Sequence, residues 1–408
     1  MTDITRRRIL ASGTTLAASF ASSKLSAQRR YDPGASDTEI KLGHTSPYSG
    51  PLSAFSVAGK ATTAYFNMIN AAGGINGRKI KFISYDDGYQ PPKTVEMVRK
   101  LVESDEVLMI FQLLGTPTNI AIQKYLNQKQ IPQLFIFSGA SRFGDPKNYP
   151  WTMGWQPDYA TEGGVYAKHI LASVKDARIG ILFQNDDSGK DGVIGFQKAL
   201  GKQNEKMIAA IASYEVTDPT VDSQIIQLKN AGANVFLNLS SPKFAAQGIR
   251  KAYDLAWRPV HYLTSPSASV QSVMKPAGFE AGQDIMTIAY LKDPTDPQWA
   301  NDPEFLEWKR WMEKWNPSAS VADTLNVYPY ALTATLVEVL KRCGDELTRA
   351  NVMKQASNLR GLHVPMLLPG ISINTSPTDF YPIQSLRLAR FKGETWELFG
   401  NIISNESE

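Results

Sequence analysis

Val107-Leu108-Met109-Ile110-Phe111 is an unbroken apolar run, and it is followed closely by Leu114-Gly115-Thr116-Pro117-Thr118. A short apolar run of this kind indicates a strand that is buried on both faces, as in a parallel sheet. The small polar residues and the proline that follow indicate a tight loop and the start of a helix. The same order of strand, loop and helix recurs on both sides of this stretch, which predicts an α/β fold.

Strands and helices alternate in two separate series along the chain. In the first series, the predicted strands are 40–43, 79–85, 107–111 and 133–137, with helices at 56–72, 93–103 and 118–129. In the second series, the predicted strands are 179–183, 206–214, 235–239 and 260–263, with helices at 159–174, 192–204, 223–231 and 242–255. Such alternation is typical of parallel sheets that carry helices on both faces. We therefore predict two doubly wound parallel-sheet lobes.

The last part of the chain has a different pattern, with long helices at 303–315 and 325–342 and short strands at 386–391 and 396–399. Because it holds no third cluster of strands, we expect it to cross back and complete both lobes. Lobe 1 is predicted to span 38–155, completed by about 290–365, and lobe 2 to span 156–289, completed by about 366–402. Several crossings form a multi-strand hinge, and a hinge between two lobes creates a cleft.

Composition and charge exclude several classes of protein. The 408 residues carry a formal net charge of +4 without a basic block, so we expect no nucleic-acid partner. One cysteine, Cys343, excludes an intramolecular disulfide framework, and the four histidines are far apart in the sequence. We expect no metal and no cofactor. No complete phosphate loop, dinucleotide fingerprint or nucleophile elbow is present, so the sequence predicts a protein that is not an enzyme. We also expect a monomer.

The first 27 residues have the layout of an export signal. Arg6-Arg7-Arg8 is followed by Ile9-Leu10, by a mildly apolar stretch at 11–20 and by the small residues Ser26-Ala27. The arginine pair resembles a twin-arginine signal, which predicts a periplasmic protein. The alternative interpretation is a disordered basic N-terminus.

Small polar residues follow four of the predicted strands, at their carboxyl ends. They are Leu114-Gly115-Thr116, Ser138-Gly139-Ala140-Ser141, Ser240-Ser241-Pro242 and Thr264-Ser265-Pro266-Ser267. In an open α/β sheet this edge is where ligands bind, and the start of a helix favours a carboxylate. Helix capping explains one such segment by itself, but four segments on one edge predict a ligand site.

Several motifs resemble one known family. They are Ser49-Gly50-Pro51, Asn70-Ala71-Ala72-Gly73-Gly74-Ile75-Asn76-Gly77, Tyr85-Asp86-Asp87, Asn185-Asp186-Asp187 and Pro242-Lys243-Phe244-Ala245-Ala246-Gln247. From about Ile40 to the C-terminus, the chain resembles the type I periplasmic solute-binding proteins of the leucine/isoleucine/valine-binding group, which serve ABC importers. The resemblance implies two lobes that close over a small ligand, and it implies a membrane permease as partner.

The resemblance also implies which positions bind the ligand. It places an aromatic contact at Phe55 and the carboxylate-binding segments at Leu114 to Thr116 and at Ala140-Ser141. Small residues stand at Ser188 and Ser240-Ser241, where the family commonly has aromatic ones. Together with the strand ends, the predicted ligand-binding residues are Phe55, Leu114, Gly115, Thr116, Ala140, Ser141, Asp187, Ser188, Ser240, Ser241, Ser265 and Ser267.

The ligand class follows from a missing acid. Amino-acid binders of this family have an acidic residue near Pro266-Ser267, and the segment 264–269 contains no carboxylate. Leaving one partner of a buried ion pair alone costs about 3–5 kcal/mol. We therefore expect a carboxylated ligand without an ammonium group, such as a benzoate or a hydroxycinnamate. The alternatives are a branched-chain amino acid or an amide, with Asp186 or Asp187 balancing the ammonium, and a ligand-sensing regulatory domain.

Overall fold

The computed structural model describes residues 30–404, and the predicted export signal lies outside the described residues. The strands are β1 (Arg30–Tyr31), β2 (Glu39–Ser46), β3 (Lys79–Asp86), β4 (Met109–Phe111), β5 (Gln133–Ile136), β6 (Thr152–Gly154), β7 (Ile179–Gln184), β8 (Ile208–Tyr214), β9 (Val235–Leu239), β10 (Val260–Leu263), β11 (Met286–Ala289), β12 (Glu346–Leu347), β13 (Ser385–Lys392) and β14 (Thr395–Ser404). The helices are α1 (Ser56–Ala71), α2 (Pro91–Glu103), α3 (Thr116–Gln128), α4 (Tyr159–Ser173), α5 (Asp187–Leu200), α6 (Asp222–Asn230), α7 (Pro242–Asp254), α8 (Lys275–Ala277), α9 (Pro303–Trp315), α10 (Val327–Cys343) and α11 (Arg349–Ala356).

The first sheet has five parallel strands in the order β3-β2-β4-β5-β6. Leu42 in β2 lies between Phe82 on one neighbouring strand and Met109 on the other. Both Leu42 and Met109 are fully buried, which agrees with the apolar runs that predicted these strands. The strand β6 was not predicted, because it is only three residues long and ends in a glycine.

The second sheet has seven strands in the order β14-β13-β11-β10-β9-β7-β8. The five strands from β11 to β8 are parallel, whereas β13 and β14 join as antiparallel strands at one edge. The two-residue turn Gly393-Glu394 connects β13 with β14, and such a short connection permits only antiparallel pairing. The predicted class, two α/β lobes with parallel sheets, is confirmed, and the second sheet has an antiparallel addition.

The chain passes between the two sheets three times. It leaves the first sheet after β6, returns after β11 and leaves again between α11 and β13. The returning segment packs against lobe 1, where the ring of Tyr65 on α1 lies 6.2 Å from Trp311 and 5.1 Å from Tyr330. These passages form the hinge. The residue limits that we predict for the two lobes stay a prediction.

Trp155 anchors the first of these passages. Its side chain is fully buried, and its Nε1–H donates a hydrogen bond of 3.0 Å to Oγ1 of Thr335 on α10. A buried indole N–H requires such a partner. The hinge is therefore packed as a core, and the cleft lies directly in front of it. Within residues 30–404, no helix has the length and apolar character that crossing a membrane requires.

Candidate ligand-binding cleft

A cavity of about 80 Å³, partly open to solvent, lies between the two lobes at the carboxyl ends of the parallel strands. This is the edge at which open α/β sheets bind ligands. Its walls come from both lobes. They consist of Leu52, Phe55, Tyr89, Leu114, Gly115, Thr116, Phe137, Gln156, Tyr159, Glu162, Gln184, Ser188, Gly189, Gly192, Leu239, Ser240, Ser241, Thr264, Pro266 and Ser267.

The lobe 1 wall presents the start of α3 to the cavity. Gly115 precedes the helix, and its N–H donates to the carbonyl oxygen of Phe137 at 3.1 Å. The N–H that this loop offers to a ligand is therefore that of Thr116, since first-turn N–H groups have no partner inside a helix. The Thr116 hydroxyl shares a hydrogen bond of 2.7 Å with Ser138 Oγ. The positive end of the helix dipole makes this wall suitable for a carboxylate.

Aromatic rings line much of the cavity. The rings of Phe55 and Phe137 meet edge to face, with centroids 5.7 Å apart. Phe137 also stacks on Tyr328, with centroids 4.0 Å apart. Tyr89 and Tyr159 line the same space. The sequence pointed to Phe55 alone, so the cleft is more aromatic than the small residues at 188, 240 and 241 suggested.

The lobe 2 wall contains a buried carboxylate, Glu162, whose residue surface is 2% exposed. Its Oε1 accepts hydrogen bonds from the Ser265 N–H at 2.7 Å and the Tyr166 hydroxyl at 2.8 Å, and its Oε2 accepts one from the Ser265 hydroxyl at 3.0 Å. Burial raises the pKa of Glu162, while the Ser265 N–H and the hydroxyls oppose that rise. No lysine, arginine or histidine is among the cavity-lining residues of the described chain.

Tyr89 and Ser141 of lobe 1 form hydrogen bonds to lobe 2 across the cleft. The Tyr89 hydroxyl of lobe 1 donates to Oδ2 of Asp186 in lobe 2 at 2.9 Å. The Ser141 N–H and hydroxyl both donate to Oδ2 of Asp191 on α5 at 3.0 Å. Burial and the charge of Asp186 raise the pKa of Tyr89 well above its usual value, so this hydroxyl keeps its proton and remains a donor. The lobes are thus in contact around the cavity.

Eight of the twelve predicted binding residues line this cavity. They are Phe55, Leu114, Gly115, Thr116, Ser188, Ser240, Ser241 and Ser267. The structure thus brings together segments that are separated by more than a hundred residues, as the strand-end argument predicts. Their contact with a ligand stays a prediction.

The other four predicted residues do not line the cleft. After β5 the chain turns into a 3₁₀-helix at Ser141–Gly144, so Ala140 lines a separate small pocket and Ser141 binds Asp191. Asp187 is exposed on α5, because Asp186 caps that helix by accepting the Ser188 and Gly189 N–H groups. Ser265 has both its N–H and its hydroxyl directed at Glu162.

Sequence reasoning missed Tyr89, Gln156, Tyr159, Glu162 and Gln184, all of which line the cavity. Glu162 is the most consequential of them, because it contacts Ser265 across a separation of 103 residues. No local sequence pattern predicts a contact of this kind. Gln156 Oε1 and Ser240 Oγ are buried with no hydrogen-bond partner in residues 30–404. Buried polar atoms of this kind are usually satisfied, and a polar ligand would supply the partner.

Metal chemistry has no support in this part of the chain. Between residues 30 and 404, no group of three histidine, cysteine, aspartate or glutamate side chains is arranged to hold a metal ion. The cleft combines a helix start, aromatic rings and one carboxylate, so what it can do chemically is bind a small polar molecule between two movable lobes.

Known proteins resemble this chain in both sequence and fold. A family model described as periplasmic binding protein matches residues 39–395. The leucine-specific-binding protein of Salmonella typhimurium is 27% identical over 177 residues, which are 43% of this chain and 47% of that protein. The Leu/Ile/Val-binding protein homolog 7 of Brucella suis is 22% identical over 265 residues, which are 63% of this chain and 65% of that protein. The chain therefore spans about half to two thirds of the length of these curated relatives.

One solved structure shows the likeness in fold. It is described as a branched chain amino acid ABC transporter from Thermus thermophilus with bound valine. Its TM-score is 0.81 at 15% identity, and the match covers 90% of this chain and 97% of that one. At this identity the likeness concerns the fold, and the two-lobed arrangement agrees with it.

Proposed function

Because the chain belongs to the periplasmic binding protein family, of the leucine/isoleucine/valine-binding type, we propose that it is the substrate-binding component of an ABC importer. Its ligand is a small zwitterion of the amino-acid class, held between the two lobes. A membrane permease is the partner of the closed form, and the periplasm is its location. The geometry gives no separate support to the alternative of a ligand-sensing regulatory domain.

The observation that carries the proposal is the opposite polarity of the two walls. The lobe 1 wall has the start of α3 at Thr116, which favours an anionic group. The lobe 2 wall has the buried Glu162, and no cationic residue between positions 30 and 404 lines the cavity. A ligand with a carboxylate at one end and an ammonium at the other satisfies both walls. The aromatic rings between the walls suit an apolar side chain.

This polarity revises the ligand class that the sequence suggested. We expected an aromatic acid because the segment 264–269 contains no carboxylate. Glu162 supplies the missing acid from another element, since it binds Ser265 within that segment. A benzoate with its carboxylate at Thr116 would offer no counter-charge to Glu162. The branched-chain amino acid, our earlier alternative, is therefore the better supported ligand, in agreement with the names of the relatives.

Calorimetry with leucine, valine, benzoate and coumarate tests this proposal. We expect the two amino acids to bind and the two aromatic acids not to bind. The Glu162→Gln variant should bind leucine about a hundredfold or more weaker, because an unpaired buried ammonium costs about 3–5 kcal/mol. The matched control is Asp323→Asn, since Asp323 is also a buried carboxylate that accepts two serine hydroxyls and an N–H but does not line the cleft.

The control should bind leucine with the affinity of the unmodified protein, and circular dichroism should show that both variants are folded. Binding of benzoate or coumarate without leucine would contradict the proposal. Undiminished leucine binding in a folded Glu162→Gln variant would also contradict it.

A further inference from the structure

A second cavity of about 90 Å³, partly open to solvent, adjoins the cleft on the hinge side. Phe137, Gln156 and Pro266 belong to the walls of both cavities. The two cavities therefore border each other at these three side chains, and no sheet separates them there. We call the second space the hinge cavity. Its other walls come from β11, β13, β14 and the segments 290–299 and 324–328.

Most of the hinge cavity is apolar. Ile288 and Ala289 on β11, Trp299, Leu325 and Leu398 all contribute to its walls. Aliphatic and aromatic walls gain free energy by excluding water, so an apolar chain is the natural occupant of such a space. A branched-chain amino acid held by Glu162 and Thr116 would leave this volume empty.

One region of the hinge cavity is acidic. Asp293 and Asp296 line it, and Oδ1 of Asp293 accepts the N–H of Thr295 at 2.8 Å and its hydroxyl at 2.5 Å. Within the described chain, Oδ2 of Asp293 has no hydrogen bond to another side chain or to the backbone. Burial, with the charges of Asp296 and Asp323, raises the pKa of Asp293 to about 6.

The one lysine that lines the hinge cavity in the described part of the chain does not neutralise Asp293. Lys292 also lines the hinge cavity, but its Nζ lies 2.8 Å from a carboxylate oxygen of Asp302 and 2.8 Å from one of Glu304. The carboxylates therefore outnumber the cations around this space. A positively charged hydrogen-bond donor would bind the free carboxylate oxygen of Asp293, whereas an anionic group would be repelled.

We propose that the hinge cavity is a second compartment of the ligand site, which receives the side chain of an elongated amino acid with an apolar middle and an amine at its far end. The inference rests on the proposed function, since the α-amino and α-carboxylate groups remain at Glu162 and Thr116. Asp293 binds the terminal amine. Phe137, Gln156 and Pro266 surround the passage of the apolar chain from one compartment to the other.

A series of ligands of graded length tests the second compartment. Calorimetry is performed with leucine, with 2-aminodecanoic acid and with 2,10-diaminodecanoic acid. We expect 2-aminodecanoic acid to bind at least tenfold tighter than leucine, and the diamino acid at least a further tenfold tighter. If leucine binds and neither long ligand binds tighter, the second compartment is refuted while the proposed function stands. If leucine and both long ligands fail to bind, the proposed function is refuted and the inference with it.

Variants of the hinge cavity localise the effect. Ala289→Phe fills the cavity, so the ratio of the leucine Kd to the 2-aminodecanoate Kd should fall to about one, whereas the matched Ala289→Ser variant should keep it. Asp293→Asn should remove only the difference in affinity between 2-aminodecanoic acid and 2,10-diaminodecanoic acid. If Ala289→Phe fails to fold, Ala268→Phe can replace it, because Ala268 also lines the hinge cavity.

Two results would overturn the inference even if the long ligands bind tightly. The first is an unchanged preference for long ligands in the folded cavity-filling variant. The second is simultaneous binding of leucine and octylamine, each with the affinity it has alone, together with loss of octylamine binding in Asp293→Asn. The hinge cavity would then hold a separate molecule and not the ligand's own side chain.

Discussion

Gly115 has a backbone conformation that essentially only glycine adopts, with φ +99° and ψ 153°. A Cβ atom at this position would overlap the ring of Tyr89 and lie 2.8 Å from Thr118 Oγ1. The absence of a side chain therefore serves two purposes. It permits the turn into α3, and it leaves room for the aromatic ring that reaches across the cleft.

The Gly115→Ala variant, compared with Gly73→Ala, distinguishes the effect on the turn from the effect on the Tyr89 ring. We expect it to lower the free energy of unfolding by about 1–3 kcal/mol through backbone strain, and to weaken leucine binding about tenfold because the Tyr89 ring must move. Gly73→Ala is the matched control, since Gly73 also has a positive φ, +109°, but no atom within 4 Å of an added Cβ. Urea denaturation and calorimetry would measure both effects. Equal leucine affinities in the two variants would show that Gly115 matters only for the turn.

At the residue level, the sequence predicts positions at strand ends better than it predicts partners. Eight residues of the predicted set line the cavity because the edge of a parallel sheet determines where strand ends lie. Glu162 was missed since its contact with Ser265 depends on how α4 packs against a distant loop. The sequence proposes Asp187 as a ligand contact, and it does not show that Asp186 caps α5 while Asp187 is exposed on that helix.

The two helices α4 and α5 pack closely at glycines. A Cβ on Gly163 of α4 would lie 2.8 Å from the Phe196 nitrogen and 3.1 Å from the Gly192 carbonyl oxygen, both on α5. A Cβ on the adjacent Gly164 would lie 3.7 Å from the Ala199 Cβ, an ordinary contact. Because Gly163 follows Glu162 directly, this helix contact also sets the position of the carboxylate in the cleft.

Alanine substitutions at these neighbouring glycines should have opposite effects on stability. Gly163→Ala should lower the free energy of unfolding by about 1–3 kcal/mol, because a methyl group is forced against backbone atoms. Gly164→Ala should raise it by up to about 1 kcal/mol, since alanine favours the helix over glycine. Thermal and urea unfolding of both variants would measure this. A stable Gly163→Ala variant would mean that the helices separate easily.

At the level of elements, the apolar runs predicted eight strands of the two parallel sheets, two of them, β9 and β10, with their observed limits. The sequence does not predict β6 and β11, because Thr-Met-Gly and Met-Thr-Ile-Ala hold only one and two large apolar side chains, which form no continuous apolar run. The strand predicted at 206–214 begins later, at Ile208, since residues 202–207 form a 3₁₀-helix. Short elements depend on their neighbours in the sheet more than on their own sequence.

Closure of the whole molecule depends on contacts that exist only when the lobes meet. The hydrogen bond from Tyr89 to Asp186 is one of them. A ligand that touches both lobes favours the closed state by its differential affinity. Each hydrogen bond across the cleft adds to that preference, so its loss appears as weaker ligand binding even where the ligand does not touch it.

The Tyr89→Phe variant should bind leucine about ten- to a hundredfold weaker, because a hydrogen bond to a charged group contributes about 1.5–3 kcal/mol. Its ligand-free radius of gyration should increase in small-angle X-ray scattering. Tyr85→Phe is the matched control, since the Tyr85 hydroxyl also donates to a carboxylate, Asp105, at 2.9 Å, but within lobe 1. If the radius of gyration of Tyr89→Phe is unchanged, the lost affinity comes from a direct contact between Tyr89 and the ligand.

The return of the chain to lobe 1 determines the order in which the protein can be completed during synthesis. The helices α9 and α10 pack against α1, and they are translated only after all five strands from β7 to β11. A nascent chain that ends before Pro303 leaves Tyr65 without Trp311 and Tyr330 against it. Lobe 1 is thus completed only after most of lobe 2 has been translated, and β13 and β14 then complete lobe 2. Neither lobe can be excised as one continuous piece of polypeptide.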